Sequence, residues 1–193
     1  MSDAGRFTGI RIGFFEPSPG LWQSLPQMIK ADTGAELVEM RSQAAMREAI
    51  EAGRIDALLL DADGVEAEAE GLVRDVRKTG LGPDPFMVVI IIHPHPGSDK
   101  AQKIRLAGAD VVIQRPAGTD ELTQYLADYR DGRRWFVVAG PYAGPEHRKA
   151  QRPGQSSELI DAPNRLGGEV IGDDAMAQAR AMWQRMLELR GDS

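Results

Sequence analysis

Residues 55–64 have the sequence Ile-Asp-Ala-Leu-Leu-Leu-Asp-Ala-Asp-Gly, in which an apolar run ends at the carboxylate of Asp61. An uninterrupted apolar run bounded by turn residues is typical of a buried strand in a parallel sheet. Open parallel sheets bind their ligands just beyond the carboxyl ends of the strands. Asp61 is therefore predicted at the mouth of the site, although a carboxylate in this position can equally cap the next helix or lie in solvent.

Strand-like and helix-like segments alternate along the first two thirds of the chain. Continuous or β-branched apolar runs predict strands, and apolar residues at helical spacing predict a helix after each of them. The predicted strands are residues 10–15, 35–40, 55–61, 86–92 and 111–113. Five strands that alternate with five helices imply an α/β fold, a doubly wound five-stranded parallel sheet with helices on both faces.

The composition limits the class of protein to which the chain belongs. With 193 residues and a hydrophobic content of 42%, the chain is long enough for one core plus an appendage. It has no cysteine and no apolar stretch of membrane-spanning length, and residues 1–6 lack the basic-then-apolar order of a secretion signal. We therefore expect a cytoplasmic protein without a membrane partner. The net charge of -6 argues against a broad nucleic-acid surface.

The sequence changes character near residue 131, which divides it into a domain at 9–131 and a C-terminal extension at 132–193. Residues 135–138 are apolar and predict either one more short strand or an apolar clamp. Residues 140–168 are rich in Gly, Pro, Arg and Ser, which predicts an extended tail with little regular structure.

The extension is predicted to end in an amphipathic helix that begins at Asp173 and Asp174. Its apolar face consists of Met176, Ala179, Met182, Trp183, Met186, Leu187 and Leu189. A face of this width predicts packing against the chain's own domain or against a second copy, which would give a homodimer. One clear helix does not make a helix-turn-helix, so we expect no DNA-binding output domain.

Polar residues follow four of the predicted strands. Glu16 follows the first strand, Asp61 and Asp63 the third, His93 the fourth and Arg115 the fifth. Because the carboxyl ends of parallel strands share one edge of the sheet, we expect these side chains to converge. Clustered carboxylates that face one cation are typical of divalent-metal or phosphoryl-transfer sites, and a carboxylate can itself be the nucleophile that forms an acyl phosphate.

Several of these pieces together resemble the receiver domain of response regulators. They are Glu16 after strand one, Leu58-Leu59-Leu60-Asp61 at the end of strand three, Ala107-Gly108-Ala109-Asp110 before strand five, and Arg115-Pro116 after it. The resemblance covers roughly residues 9–130. It implies the flavodoxin-like (βα)5 fold of CheY-like proteins and a part in two-component phosphorelay signalling, with a histidine kinase or another signalling protein as partner.

The resemblance also implies a role for each carboxylate. Asp61 takes the place of the aspartate that accepts phosphate from a histidine kinase, and Asp63 that of the residue whose backbone carbonyl binds Mg²⁺. Glu16 takes the place of the first acid of a magnesium-binding pair. Pro17 takes the second place and supplies neither a carboxylate nor a backbone donor. We therefore expect only weak Mg²⁺ binding at a site of Glu16, Asp61 and Asp63.

Three more positions depart from the receiver pattern. His93 stands where a threonine or serine normally bonds the phosphoryl group, Arg115 where a lysine normally pairs with it, and Val112 where an aromatic switch residue lies. His93 is interpreted either as a residue that occludes the pocket, donates to Asp61 or responds to pH, or as a strand-end residue bonded to a neighbouring carbonyl. Arg115 can form a bidentate pair with Asp61 that fixes the site without phosphate. His95, between two prolines, is interpreted as a loop residue.

The extension contains a small basic cluster, made of Arg133, Arg134, Arg148, Lys149 and Arg152. The surrounding stretch 142–149 and the stretch 162–166 resemble segments that follow some stand-alone bacterial receivers. An RNA-binding patch is one interpretation of the cluster. We favour an arm of Trp135, Phe136 and Tyr142 that lies across the surface of the domain, because flanking acids dilute the positive charge.

Two functions follow from these assignments. In the first, the chain is an atypical receiver that accepts phosphate at Asp61 and binds a partner through the face of helix four, strand five and helix five. In the second, it is a pseudo-receiver, an interaction scaffold that works without phosphate. An enzyme that uses Asp61 as nucleophile and His93 as base is disfavoured, since the sequence has no glycine-rich phosphate loop, nucleophile elbow or dinucleotide fingerprint.

Overall fold

Five parallel strands form the central sheet in a computed structural model that describes residues 5–18, 25–147, 158–167 and 172–190. The strands are β1 (Arg11–Phe15), β2 (Glu36–Met40), β3 (Ala57–Asp61), β4 (Val88–His93) and β5 (Val111–Gln114). Their order across the sheet is β2-β1-β3-β4-β5, and each neighbouring pair is parallel. The α/β, doubly wound fold predicted from the sequence is therefore confirmed.

A helix follows each strand and returns the chain to the opposite edge of the sheet. The helices are α1 (Leu25–Thr33), α2 (Gln43–Glu51), α3 (Glu66–Arg74), α4 (Asp99–Leu106) and α5 (Thr119–Asp131). A π-helical turn, Asp75–Thr79, extends α3 until Gly80 stops it with a left-handed φ of 77°. Leu21, which was predicted in the first helix, lies outside the described residues.

Two apolar layers cover the faces of the sheet. The first layer packs α2, α3 and α4 on residues such as Leu58, Leu60 and Ile91, and the second packs α1 and α5 on residues such as Leu59 and Ile90. Strands β3 and β4 are buried along their whole length, because side chains that alternate along a central strand meet a helix on either side. This double burial explains the uninterrupted apolar runs in the sequence.

The extension forms a second, antiparallel sheet, so the prediction of a largely unstructured tail over residues 140–168 is wrong for the part that the structure describes. Its strands are β6 (Trp135–Ala139), β7 (Tyr142–Pro145) and β8 (Ile160–Asp161), in the order β7-β6-β8. Gly140, with a φ of 56°, makes the tight turn between β6 and β7. A 3-10 turn, Arg165–Gly167, and the last helix α6 (Asp173–Arg190) complete the extension.

Helix α6 packs inside its own chain. Met176, Ala179, Trp183 and Met186 are buried, whereas Met182 and Leu189 of the predicted face are 49% and 69% exposed. The buried residues meet Phe86 of the domain and Phe136 of β6, and the rings of Phe86, Phe136 and Trp183 contact one another edge to face at 5.1–5.8 Å. Phe136 is therefore a core residue, and the predicted surface arm that included it is wrong.

A buried ion cluster joins the extension to the domain. Asp110 accepts hydrogen bonds from Arg77, at 2.8 Å, and from Arg134, and the side chains of Asp110 and Arg77 are fully buried. Arg77 also donates to the carbonyls of Pro85 and Gly108 at 2.6 and 2.9 Å. Arg134 is thus a buried partner of the domain and not part of a surface cluster. Arg148, Lys149 and Arg152 of that cluster lie outside the described residues.

The stretch 162–166 fastens the extension to the lower edge of the parallel sheet, where its strands begin. The Asn164 amide donates to the carbonyls of Tyr129 and Arg130 at 2.6 and 3.1 Å, which satisfies the open end of α5. Arg165 lies 3.3 Å from Asp84 and 3.9 Å from Asp56. Burial raises the pKa of Asp84, against the opposing effects of the Phe86 amide and Arg165. Leu166, which is buried, completes the layer under α1 and α5.

Candidate functional site at the carboxyl ends of the strands

Asp61 closes β3 at the upper edge of the parallel sheet, where the strands end. It lies opposite Ile92 in the ladder with β4, and its carboxylate is fully buried. Oδ1 accepts a 3.1 Å hydrogen bond from the backbone amide of Asp63, so the loop that follows the strand orients the side chain. The placement of Asp61 at the end of the third strand agrees with the sequence prediction.

Arg115 bridges Asp61 and Asp63. Its Nη1 donates to Asp61 Oδ2 at 3.3 Å, and its Nη2 donates to Asp63 Oδ2. The predicted pair used both nitrogens on Asp61, whereas the guanidinium here gives one nitrogen to each carboxylate. Arg115 reaches this position because it follows β5 directly, where its amide donates to the His93 carbonyl at 3.0 Å.

The two aspartates keep the guanidinium firmly charged. Burial by itself lowers the pKa of Arg115, but the nearby charges of Asp61 and Asp63 outweigh that effect and raise the pKa above its ordinary value. The Arg115 side chain is 24% exposed, whereas the Asp61 carboxylate that it contacts is fully buried. We call the group of Asp61, Asp63 and Arg115 the Asp61 pocket. In this arrangement a cation already offsets part of the negative charge of the acidic pair.

His93 does not join that group. It ends β4 on the face of the sheet that carries α3 and α4, and it is 3% exposed. Its Nδ1 accepts a 3.0 Å hydrogen bond from the amide of His95, and its Nε2 lies 3.5 Å from Glu66 Oε1. Among the described residues, His93 makes no hydrogen bond or ion pair with Asp61. The convergence predicted for the strand-end side chains therefore holds for Arg115 and the two aspartates but not for His93.

Glu66 and Lys100 are site residues that the sequence analysis did not single out. Glu66 lies in the first turn of α3 and accepts a 3.1 Å hydrogen bond from Lys100 Nζ in the first turn of α4. A backbone hydrogen bond lowers the pKa of Glu66, and Lys100 and the nearby His93 ring add to this effect although partial burial opposes it. An acid at a helix start is normally explained by the helix dipole, so nothing in the sequence marks Glu66 as a site residue.

The residues at this edge do not fit a magnesium ion as they stand. Glu16 follows β1 and is half-buried, and Pro17 next to it has no carboxylate. Mg²⁺ requires several oxygen ligands in a strict octahedron, but the Asp61 and Asp63 oxygens that face the pocket already accept from Arg115. No cluster of three His, Asp or Glu side chains that would suit a metal occurs in the described part of the chain. An ion at this place has to displace the guanidinium first.

The sheet order, the helices on both faces and the strand-end aspartate define the fold of the receiver, or CheY-like, domains. Three solved structures with this fold illustrate the match, and all are only distantly similar in sequence. The first is the receiver domain of a sensor histidine kinase from Pseudomonas aeruginosa, crystallised with magnesium in its active-site cleft; it has 17% sequence identity and a TM-score of 0.52, and the match covers 61% of this chain and 94% of that one. The second is the signal receiver domain of a LuxO repressor protein from Vibrio parahaemolyticus, with 21% identity, a TM-score of 0.52 and coverage of 61% of this chain and 87% of that one. The third is a CheY-like receiver domain from Methanospirillum hungatei, with 18% identity, a TM-score of 0.51 and coverage of 62% of this chain and 91% of that one.

No protein-family profile and no curated protein sequence matches the chain. Within the segments that the structure describes, none of the helices has both the length and the apolar character that crossing a bilayer requires. The receiver fold is therefore established by the structure, and the function has to be argued from the site.

Proposed function

We propose that this protein is an atypical, cytoplasmic receiver of the two-component type, which signals by binding another protein and does so without phosphate on Asp61. The bridge from Arg115 to Asp61 and Asp63 carries the proposal, because it already supplies the positive charge that the acidic pocket needs. The structural neighbours with this fold are receiver domains, which supports a part in signalling. Histidine kinases or other signalling proteins are the partners that this fold suggests.

Three features of the pocket support independence from phosphate. The Asp61 carboxylate is fully buried beneath Arg115, so that side chain has to move before the carboxylate can attack a phosphodonor. Pro17 stands where a second magnesium-binding acid is expected from the receiver resemblance. His93, in the place of the threonine that would bond a phosphoryl group, instead lies beside Glu66 on the other face of the sheet.

Phosphorylation of Asp61 is the second candidate. It is favoured by the position of Asp61 at the end of β3, which the receiver resemblance assigns to the phosphoacceptor, and by the magnesium bound in the cleft of one structural neighbour. Under this reading Arg115 takes the part of the phosphate-pairing lysine. The two candidates share the fold and the partner-binding face, and they differ only in whether signalling requires phosphate on Asp61.

Treatment with acetyl phosphate and Mg²⁺, followed by intact-mass measurement, separates the two candidates. The wild-type chain is expected to gain no phosphoryl mass. A matched variant that restores the residues expected at three receiver positions, P17D/H93T/R115K, is expected to gain one. Phosphorylation of the wild type at Asp61, absent from D61N, would establish the second candidate in place of the first.

A homodimer through α6 is a further part of this proposal that the sequence suggested. Most of the apolar face of α6 is buried within the chain, which leaves Met182 and Leu189 as the exposed apolar residues for a second copy. Sedimentation of the full chain beside M182K/L189K provides the test. A wild-type dimer that becomes monomeric in the variant supports the interface, and a wild-type monomer excludes it.

A further inference from the structure

Glu66, Lys100 and His93 form a second charged group next to the Asp61 pocket, on the side of the sheet covered by α3 and α4. Glu66 Oε1 is the common member, 3.1 Å from Lys100 Nζ and 3.5 Å from His93 Nε2. The Glu66 side chain is 15% exposed and His93 only 3%, whereas Lys100 is 68% exposed. The carboxylate therefore lies between a surface cation and a buried imidazole.

The hydrogen bond on the other side of the ring fixes the proton on His93. Since Nδ1 accepts from the His95 amide, the neutral ring carries its hydrogen on Nε2, the atom that faces Glu66. Glu66 lies 3.5 Å away, and among the residues that the structure describes this buried donor has no hydrogen-bond partner. Unpaired buried donors are unfavourable, so the ring attracts the carboxylate and keeps it at the junction of the two helices.

We infer that Glu66 is a latch that fixes α4 to α3, closed by Lys100 and held in place by His93. The charge pair thus joins the first turns of α3 and α4 beside the Asp61 pocket. The inference deepens the proposed function and rests on it in one respect, since it takes α4 to be part of the partner-binding face.

The latch lies beside the apolar contact through which α4 packs on α3. The helix has eight residues, of which Ala101 and Ile104 are buried. A helix this short is not stable on its own in water and depends on tertiary contacts. Surface ion pairs are individually weak, so the latch adds a modest stabilisation to that apolar contact. The exposed residues Lys103 and Leu106 move with the helix, so the latch also sets how they are presented to a partner.

Amide hydrogen exchange along α4 in the full chain, without any partner, tests the latch. E66Q and K100M are each expected to speed exchange of the α4 amides about two- to fivefold, the range of a partly exposed ion pair. The double variant E66Q/K100M is expected to exchange no faster than either single variant, because both changes remove the same interaction. Added salt at about 1 M should reduce the difference between wild type and E66Q.

Two matched variants serve as controls. E68Q removes a charge from the same turn of α3, and K103M removes one from the exposed side of α4, and both should leave exchange unchanged. Wild-type exchange in E66Q and K100M, or additive effects in the double variant, would overturn the latch. The exchange experiment contains no partner and no phosphate, so its result does not depend on whether Asp61 can be phosphorylated. If the latch is found and the wild type is nevertheless phosphorylated by acetyl phosphate, only the phosphate-independent mechanism is refuted.

Discussion

The indole Nε1 of Trp183 in α6 donates a 2.6 Å hydrogen bond to the backbone carbonyl of Arg77, the residue whose side chain pairs with Asp110. This bond joins the last helix of the chain to the turn that follows α3. Because Trp183 also packs on Phe86, the extension and the domain share the apolar core around Phe86, Phe136 and Trp183.

Replacement of Trp183 is expected to destabilise the whole chain. W183A leaves a large cavity among buried rings and an unpaired carbonyl on Arg77, and a cost of about 3–5 kcal/mol is typical of such changes. The free energy of unfolding from urea titration, followed by circular dichroism, measures it. W135A is the control, since Trp135 is 38% exposed and its loss should cost less than about 1 kcal/mol. Equal costs would contradict the shared core.

Removal of Arg134 should cost far more than removal of its neighbour. R134M leaves the buried carboxylate of Asp110 with Arg77 as its remaining arginine, and we expect a loss of about 2–3 kcal/mol. R133M removes a side chain that is 75% exposed and 3.6 Å from Asp161, so its effect should stay below about 1 kcal/mol. Denaturation midpoints compare the two. A small effect of R134M would mean that the Asp110 cluster does not hold the extension.

Release of the guanidinium from the acidic pair should improve magnesium binding. R115M frees the Asp61 and Asp63 oxygens, and we expect Mg²⁺ to bind about tenfold more tightly than to the wild type. Calorimetric titration measures the affinity, with R105M on α4 as a control for the loss of an arginine charge elsewhere. If R115M and wild type bind Mg²⁺ equally, Arg115 does not compete with the ion.

Two tyrosines are expected to resist ionisation in alkali. Burial raises the pKa of both Tyr129 and Tyr142 above the ordinary value, and Asp110 adds to the effect on Tyr129. Because the unfolded chain ionises them near pH 10, their contribution to stability is complete below that pH and is lost as the pH rises further. In Y125F, which keeps only these two tyrosines, tyrosinate absorbance should appear with unfolding rather than before it. A rise near pH 10 in the folded protein would contradict this.

The parallel sheet could be predicted from the sequence because strands that are buried on both faces consist of uninterrupted apolar residues. The runs at β3 and β4 are almost wholly apolar, and each is followed by a turn and an amphipathic helix. The ionic contact of Arg115 with Asp61 was also predicted, since both residues follow strands whose ends share one edge. The contact between Arg115 and Asp61 could be predicted because the order and direction of the strands place both residues at the same edge of the sheet.

The extension was harder to predict because its residues contact residues that are distant in the sequence, and because its strands are short. Strand β8 has two residues, which is too short for any alternation of apolar and polar side chains to appear. Arg77 and Arg134 are buried, whereas arginine in a sequence normally indicates the surface. His93 was predicted beside Asp61, but the pleat of β4 directs it to the α3–α4 side, where Glu66 lies.

The contact between Gly108 and Gly144 has a consequence for protein engineering. A methyl group on Gly108 would come within 2.5 Å of the Ala143 carbonyl, and one on Gly144 within 2.7 Å of the Gly108 Cα. The backbones of the two segments are in direct contact here, so a change of side-chain rotamer cannot make room for an added methyl group. A chimera that grafts residues 132–193 onto another receiver will therefore accept the graft only if the host keeps glycine at the position of Gly108.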